Sequence, residues 1–383
     1  MSDLQTHIKK YPLLPYSQLV YESSRWFSGV YWYGMTVRMS GAAKDENRWR
    51  KAIRAALYNH PVFSTKIDCR GLQYATQLKD ILNGPYHQIS LHIDQDDLLL
   101  IGSLSRILGD GNSLILLMDD IRRAYHGEPL EKDGYFEYLE YIEQYKLTSR
   151  YQESKHWLEC EFADETTPVH PIIDKKFWTF FPLKPGVYSD DYTDLRSRMV
   201  RFAKSNSLTI EGVLSLCTAL SIAEYCGTKE AALTWAYIGR ERPEEKRIFG
   251  SLHRDIPFQV KIKGECLQAK EELIRETRNQ ILKGIEHSDY PYTLTEPYKK
   301  RWNYAVNVLR VEDENALIQL LPHPVELLHS LPQKYAYALL DVEIHETFEQ
   351  LSIIYRYSAT HYKEESIRKF AALVRKYVEW LID

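Results

Sequence analysis

The chain has 383 residues, of which 44% are hydrophobic and 27% charged, with a formal net charge of -4. This is ordinary globular usage; it excludes disordered, collagenous and low-complexity classes, and at about 150 residues per domain it admits two or three domains with a sizeable core. The 49 basic residues against 53 acidic ones give no general attraction to nucleic acid or to an anionic membrane.

The opening run MSDLQTHIKKYPLLPYSQ has no continuous apolar core, so it does not read as a signal peptide, and Met1 reads as a start, natural or engineered. Uncharged runs such as residues 212–223 reach about a dozen residues, short of the roughly 18 that a membrane helix needs. The five cysteines contain no CxxC pair, and the 13 histidines show no compact ligand spacing. Reduced thiols, a cytoplasmic location and no metal are therefore expected. No Walker loop, GxGxxG or GxSxG occurs.

Residues 45–59 (DENRWRKAIRAALYN) read as a helix with Trp49, Ile53, Ala56 and Leu57 on one face and Pro61 as its stop. Residues 98–108 (LLLIGSLSRIL) read as a short buried strand ending at Gly109-Asp110-Gly111. In the helix that follows, Leu114, Leu117, Met118, Ile121 and Tyr125 share a face, and Gly127 stands at the C′ position. Residues 135–161 read as continued helix with a tyrosine stripe (Tyr135, Tyr138, Tyr141, Tyr145, Tyr151), which is more simply packing than a binding platform. Residues 164–194, with Pro168, Pro171, Pro182, Pro185 and Gly186, read as the connection between domains. Thr209 is placed to cap a helix running to Cys226, with Gly227 behind it. Strands are expected at 231–238, 256–262, 304–310, 335–344 and 350–357, and a charged helix at 265–283. The closing helix repeats Ile367, Phe370, Ala371, Val374, Val378 and Leu381 at the 3.6-residue period. Each half mixes helices and strands as a layered α/β domain does. The expected division is 1–168 and 169–383.

Asp110 and Gly111 stand where a strand turns into a helix, followed by Asn112 and Ser113. A phosphate loop is one account of such a turn; taken alone, a helix cap is the simpler one. Several further segments surround it in a fixed order. They are YPLLPYSQLVYESSRWF at 11–27, Asn59-His60-Pro61 through Thr65, and Ser105-Arg106-Ile107-Leu108-Gly109-Asp110-Gly111. Later come Tyr237-Ile238-Gly239-Arg240-Glu241-Arg242-Pro243, Phe249-Gly250-Ser251-Leu252-His253-Arg254-Asp255-Ile256-Pro257 and His287-Ser288-Asp289-Tyr290-Pro291. In number, order and spacing, over nearly the whole chain, these resemble the condensation domain of nonribosomal peptide synthetases.

The resemblance implies an α/β fold of two chloramphenicol-acetyltransferase-like lobes, arranged as a V around a central tunnel. It implies carrier-protein partners that present phosphopantetheine-tethered acyl groups, with no permanently bound cofactor. The family motif HHxxxDG supplies a histidine that acts as base or positions the attacking amine, and an aspartate that pairs with the arginine of a later Gly-Arg motif. Here that pair corresponds to Asp110, beside Gly111, and Arg240.

Two positions depart from the pattern. Ser105 and Arg106 hold the two histidine positions. An imidazole has a reference pKa near about 6.5 and exchanges protons at neutral pH, whereas a guanidinium stays protonated and accepts nothing. Arg106 cannot be a general base; it can donate hydrogen bonds to an oxyanion. Losing a base costs typically 10²- to 10⁴-fold, which leaves room for slow catalysis by positioning. Arg254 holds a tunnel position that is asparagine in the family, and it needs an acidic partner such as Asp110 or Asp255. His253 is the nearest candidate substitute base, with packing on a strand face as the simpler account; Ser105 has no Ser-His-Asp order around it. The run from Arg240 to Arg247 (RERPEEKR) reads as a solvated loop before it reads as a carrier contact.

Three functions fit. The first is an impaired condensation-like module that docks a carrier protein or a tailoring enzyme. The second is an active acyltransferase forming an amide or ester, and the third is a structural protein without a tunnel ligand.

Overall fold

The computed structural model describes residues 9–25, 31–175, 184–262, 270–296, 298, 305–311, 317–330, 336, 338–347 and 349–383. Trp26 and Phe27 of the first motif, Pro182, residues 265–269 of the charged helix, and Tyr304 and Tyr335 at two expected strand starts lie outside them.

In chain order the first elements are β1 (Tyr11–Pro12), α1 (Pro15–Ser24), β2 (Trp32–Met39), α2 (Glu46–Asn59), β3 (Thr65–Ile67), β4 (Leu72–Ala75), β5 (Asn83–Gly84), β6 (His87–Asp94) and β7 (Asp97–Ser105). Then follow α3 (Gly111–His126), α4 (Tyr135–Tyr145), α5 (Ser149–Glu161), β8 (Pro185–Asp191), α6 (Thr193–Ser205), α7 (Ile210–Cys226), β9 (Glu230–Tyr237) and β10 (Arg254–Lys261). The last are α8 (Lys270–Glu286), β11 (Asn307–Val311), β12 (Val325–Ser330), β13 (Leu340–Glu346), β14 (Leu351–Ser358) and α9 (Glu364–Ile382).

The chain forms two compact units. Unit 1 comprises the residues up to Lys146, the segment Ile238–His253 and the described part of 312–332; unit 2 holds the rest. Among the described residues, unit 1 has a sheet in the order β12-β2-β7-β6-β5 and a small one in the order β1-β4-β3. β2, β6 and β7 are antiparallel neighbours, with Tyr33 opposite Leu104 and Trp32 opposite Ser105. Trp49, Ile53, Ala56 and Leu57 of α2 join Leu114, Leu117, Met118 and Ile121 of α3 in one core. Each of the leucine, isoleucine and methionine side chains contributes about 1.5–3 kcal/mol by leaving water. α3 ends on Gly127 in the left-handed conformation (φ 75°), as its sequence predicts.

Unit 2 is built on a mixed sheet in the order β10-β9-β11-β13-β14-β8, with β11 parallel to β9 and β13. α6, α7 and α9 cover it, and α7 is apolar around its circumference from 212 to 223, the stretch that is buried on every side. Thr209 caps α7 by accepting from the Gly212 N–H, and Gly227 (φ 68°) ends it. β10 is an edge strand, and its exposed backbone at Gln259 is met by a side chain. The Gln280 amide on α8 accepts from the Gln259 N–H (3.0 Å) and donates to the Gln259 C=O (2.6 Å), standing in for a missing neighbour strand. No single helix among the described residues is long and apolar enough to cross a membrane.

Several elements differ from the sequence expectation. The strand expected to run to Leu108 stops at Ser105, because the Ile107 N–H turns back to Ser105 Oγ (3.3 Å) and the Leu108 N–H to the Ser105 C=O (3.0 Å). It is not buried on both faces: its antiparallel setting leaves alternate residues out, with Ile101 41% exposed. The helix expected at 135–161 is two helices, α5 restarting where Thr148 accepts from the Tyr151 N–H. Tyr135, Tyr138 and Tyr145 are buried, so the stripe is mainly packing. Part of the expected connection at 164–194 is β8, the outer strand paired with β14.

Candidate functional site

The turn after β7 places Asp110 at the N-terminus of α3. Its carboxylate accepts from the Ser113 N–H (3.0 Å) while Ser113 Oγ accepts from the Asp110 N–H (3.2 Å), a reciprocal cap. Gly109 is required here by close approach: a Cβ at this position would lie 2.7 Å from the Phe249 ring and from Ser113 Cβ.

The segment Ile238–His253 comes back to this turn. Gly239 takes the left-handed conformation (φ 69°) and delivers Arg240. The guanidinium binds Asp110 with both nitrogens, Nη1 to Oδ2 (2.9 Å) and Nη2 to Oδ1 (3.0 Å), and each side chain is 7% exposed. Nη2 also donates to the Gly250 C=O (2.9 Å) and to Ser113 Oγ (3.2 Å). Asp110 Oδ2 further accepts from the N–H of Leu252 (2.9 Å) and of His253 (3.3 Å). Burial by itself would raise the Asp110 carboxyl, but the Arg240 guanidinium outweighs it and holds the group below the usual carboxylate range. The run is thus only partly a solvated loop: Glu241, Pro243, Glu244 and Lys246 are exposed, but Arg240 has a buried side chain and Arg247 reaches the fully buried carboxylate of Asp120.

Ser105 is buried, with its Oγ engaged by the Ile107 N–H. Arg106 donates its backbone N–H to the Tyr31 C=O (2.8 Å) and lays its guanidinium 4.7 Å from the centre of the Tyr33 ring. The sequence signal for that contact was available only through strand register, since Tyr33 and Arg106 lie far apart in the chain. His253 is half-buried and meets Tyr16 edge-on, with ring centroids 3.7 Å apart.

Arg254 begins β10 in unit 2. It pairs with Asp289 (2.6 Å), from the His287-Ser288-Asp289-Tyr290-Pro291 motif, a carboxylate that the sequence, offering Asp110 or Asp255, did not single out for it. Asp255 instead accepts from the Tyr298 hydroxyl (3.0 Å). The two candidates were neighbours in motif or in sequence, whereas the loop after α8 brings Asp289 to the strand. Unit 2 also holds a groove of about 450 Å³ lined by Trp157, Gln259, Lys261 and Lys283 among others; none of the residues singled out from the sequence lines it. Among the described residues no group of three or more His, Cys, Asp or Glu side chains is placed to hold a metal ion.

Comparison with known proteins agrees with this fold. The chain is 21% identical over 299 residues to gramicidin S synthase 2 of Brevibacillus brevis, an alignment covering 73% of this chain and 6% of that protein. It is 20% identical over 223 residues to surfactin synthase subunit 1 of Bacillus subtilis (strain 168), covering 56% of this chain and 6% of that one. The chain therefore spans a small fraction of the length of these relatives. Its fold matches the condensation domain from the monacolin K polyketide synthase with a TM-score of 0.77 at 12% identity, covering 98% of this chain and 97% of that one. A mutant starter condensation domain of rhizomide synthetase, in complex with C8-CoA, matches at 0.74 and 13% identity, covering 98% and 95%. These are mixed α/β folds of two chloramphenicol-acetyltransferase-like lobes. The family model for the condensation domain matches residues 73–383, and the chain belongs to that family.

Proposed function

We propose that this chain is a condensation-type module of nonribosomal peptide biosynthesis that has lost general-base chemistry and serves to dock a carrier protein or a tailoring enzyme. The observation that carries this reading is the chemistry at the turn after β7. Ser105 Oγ is buried and engaged by a backbone N–H, and Arg106 is a cation stacked on Tyr33, so neither supplies a general base near neutral pH. The frame around them, Asp110, Gly111, Ser113 and Arg240, is complete. A scaffold kept beside altered reactive positions is what docking without turnover requires. On this reading the ligand is the phosphopantetheine arm of an acyl or peptidyl carrier protein, with no permanently bound cofactor.

Pull-down with carrier proteins and tailoring enzymes of the same gene cluster, together with mass spectrometry of loaded carriers, tests the reading. Binding without a condensed product is expected. Product that depends on this chain and disappears in Arg106→Ala overturns it.

One observation favours a second reading, an active acyltransferase forming an amide or ester. The His253 imidazole stands against Tyr16, and its backbone N–H binds Asp110 itself. Turnover lost in His253→Ala but kept in Arg106→Ala would establish that reading. Activity gained in Arg106→His would show that the missing imidazole alone had silenced the site.

A further inference from the structure

The segment Ile238–His253 has a second attachment to unit 1, away from Asp110. His60 stands directly after α2 and is fully buried. Its Nδ1 lies 2.7 Å from Asp133 Oδ2 in a hydrogen bond, and its Nε2 lies 3.2 Å from Asp120 Oδ2, an ion-pair contact off the N–H axis. Both carboxylates are themselves buried. A neutral imidazole has one N–H and one lone pair, so it would turn the lone pair toward one of these carboxylates; only the doubly protonated ring offers a proton to both. Each carboxylate in turn holds the segment. Asp133 Oδ2 accepts from the Phe249 N–H (2.9 Å), and Asp120 receives Arg247 as well as the Asn59 amide (2.9 Å). The Phe249 ring lies 5.0 Å from the imidazole. The charged groups next outward are Asp119 and Glu131, 3.7 and 3.6 Å from Arg247, and Arg123, which binds Glu131. Phe63 and, near Asp133, Tyr135 complete the surroundings.

We propose that His60 is a charged imidazolium that fastens Ile238–His253 to the rest of unit 1, and that the fastening loosens when the ring loses its proton. Burial opposes the charge, but Asp120 and Asp133 outweigh it and hold the ring above the ordinary histidine value of 6.5. Burial likewise raises Asp120, and His60 with Arg247 reverses this and keeps it below the usual range. A raised histidine stabilises fully below its unfolded value and stops doing so as pH climbs through its folded value. The Asp110–Arg240 attachment has the opposite sign, since Asp110 is lowered and loses its contribution as pH falls. Asp120 is lowered too, so the His60 attachment weakens in acid as well as in base, whereas the Asp110–Arg240 attachment weakens in acid alone.

The test uses the full chain and two amides of that segment: Phe249, bonded to Asp133, and Leu252, bonded to Asp110. NMR of ring-labelled histidine gives the His60 midpoint, which is expected above the ordinary value. Hydrogen exchange, corrected for intrinsic rates, should then show Phe249 protection falling roughly 10- to 100-fold as pH passes that midpoint, the factor for losing a hydrogen bond to a charged group. Leu252 should hold through the same range. In His60→Gln, Phe249 should be poorly protected at every pH, with the Leu252 amide unchanged. A His60 midpoint at or below the ordinary value overturns the proposal, as does Phe249 protection that ignores it. If His60→Gln fails to fold, the wild-type titration and exchange decide alone.

Discussion

Replacing Arg240 should be the most damaging single change at the candidate site. Arg240→Ala removes two bonds to Asp110 and one each to Ser113, Gly250, Ile238 and Ile248, and it leaves a buried carboxylate without its cation. Breaking a buried pair from one side costs about 3–5 kcal/mol. In a unit of about 150–250 residues each kcal/mol moves the melting midpoint by about 2–4 °C, so a fall on the order of 6–20 °C follows. Arg240→Lys keeps the charge but cannot bind both carboxylate oxygens in parallel, so it should fall between wild type and Arg240→Ala. Asp110→Asn keeps an acceptor for the Ser113 N–H yet strands the guanidinium, and the double variant should lose less than the two single changes together. Thermal and urea unfolding followed by tryptophan fluorescence measures all four. Equal stability of Arg240→Lys and Arg240→Ala, or a loss below about 1 kcal/mol for either, refutes the view that this bidentate pair anchors the segment.

Acid should weaken unit 1 through Asp110. Its contribution is complete above the ordinary carboxylate range and is lost as pH falls through its lowered native value, so Asp110→Asn should flatten the acid limb of a stability–pH profile. Gly109→Ala should cost about 1–3 kcal/mol by overpacking, since the new methyl meets the Phe249 ring and Ser113 at 2.7 Å; thermal melting measures it. Gln280→Leu leaves the Gln259 N–H and C=O without their partner at the sheet edge, with an expected loss of about 1–3 kcal/mol in urea unfolding and a greater tendency to aggregate on light scattering.

The elements with strong periodicity were legible in the sequence. α3 and α9 bury the residues that their spacing selects, and Thr209, Gly127 and Gly227 cap helices for local stereochemical reasons. Features set by distant chain were not legible. β7 looked like a strand buried on both faces because nothing local tells that β2 and β6 pair with it in antiparallel register. The charged run 240–247 looked solvated because Asp110 and Asp120, which bind Arg240 and Arg247, precede it by more than a hundred residues. For Arg254 the sequence offers Asp110 or its neighbour Asp255, whereas the turn that follows α8 supplies Asp289. His60 lies in one of the segments that carry the family resemblance, yet an Asn-His-Pro triplet after a helix does not announce that two carboxylates will close on its ring.

The returning segments also set the order in which the protein can be made. Unit 1 begins at the N-terminus, but its ion pairs wait for Arg240, Arg247 and Phe249, and its outer strand waits for Val325–Ser330. Synthesis proceeds at roughly 5–20 residues per second, so the first unit stays incomplete for some seconds after Lys146 has been made. During that interval Asp110, Asp120 and Asp133 lack their cross-chain partners, and β2 has a bare edge. A nascent chain in this state is a natural client for chaperones, and a fragment cut after Lys146 would remain in it.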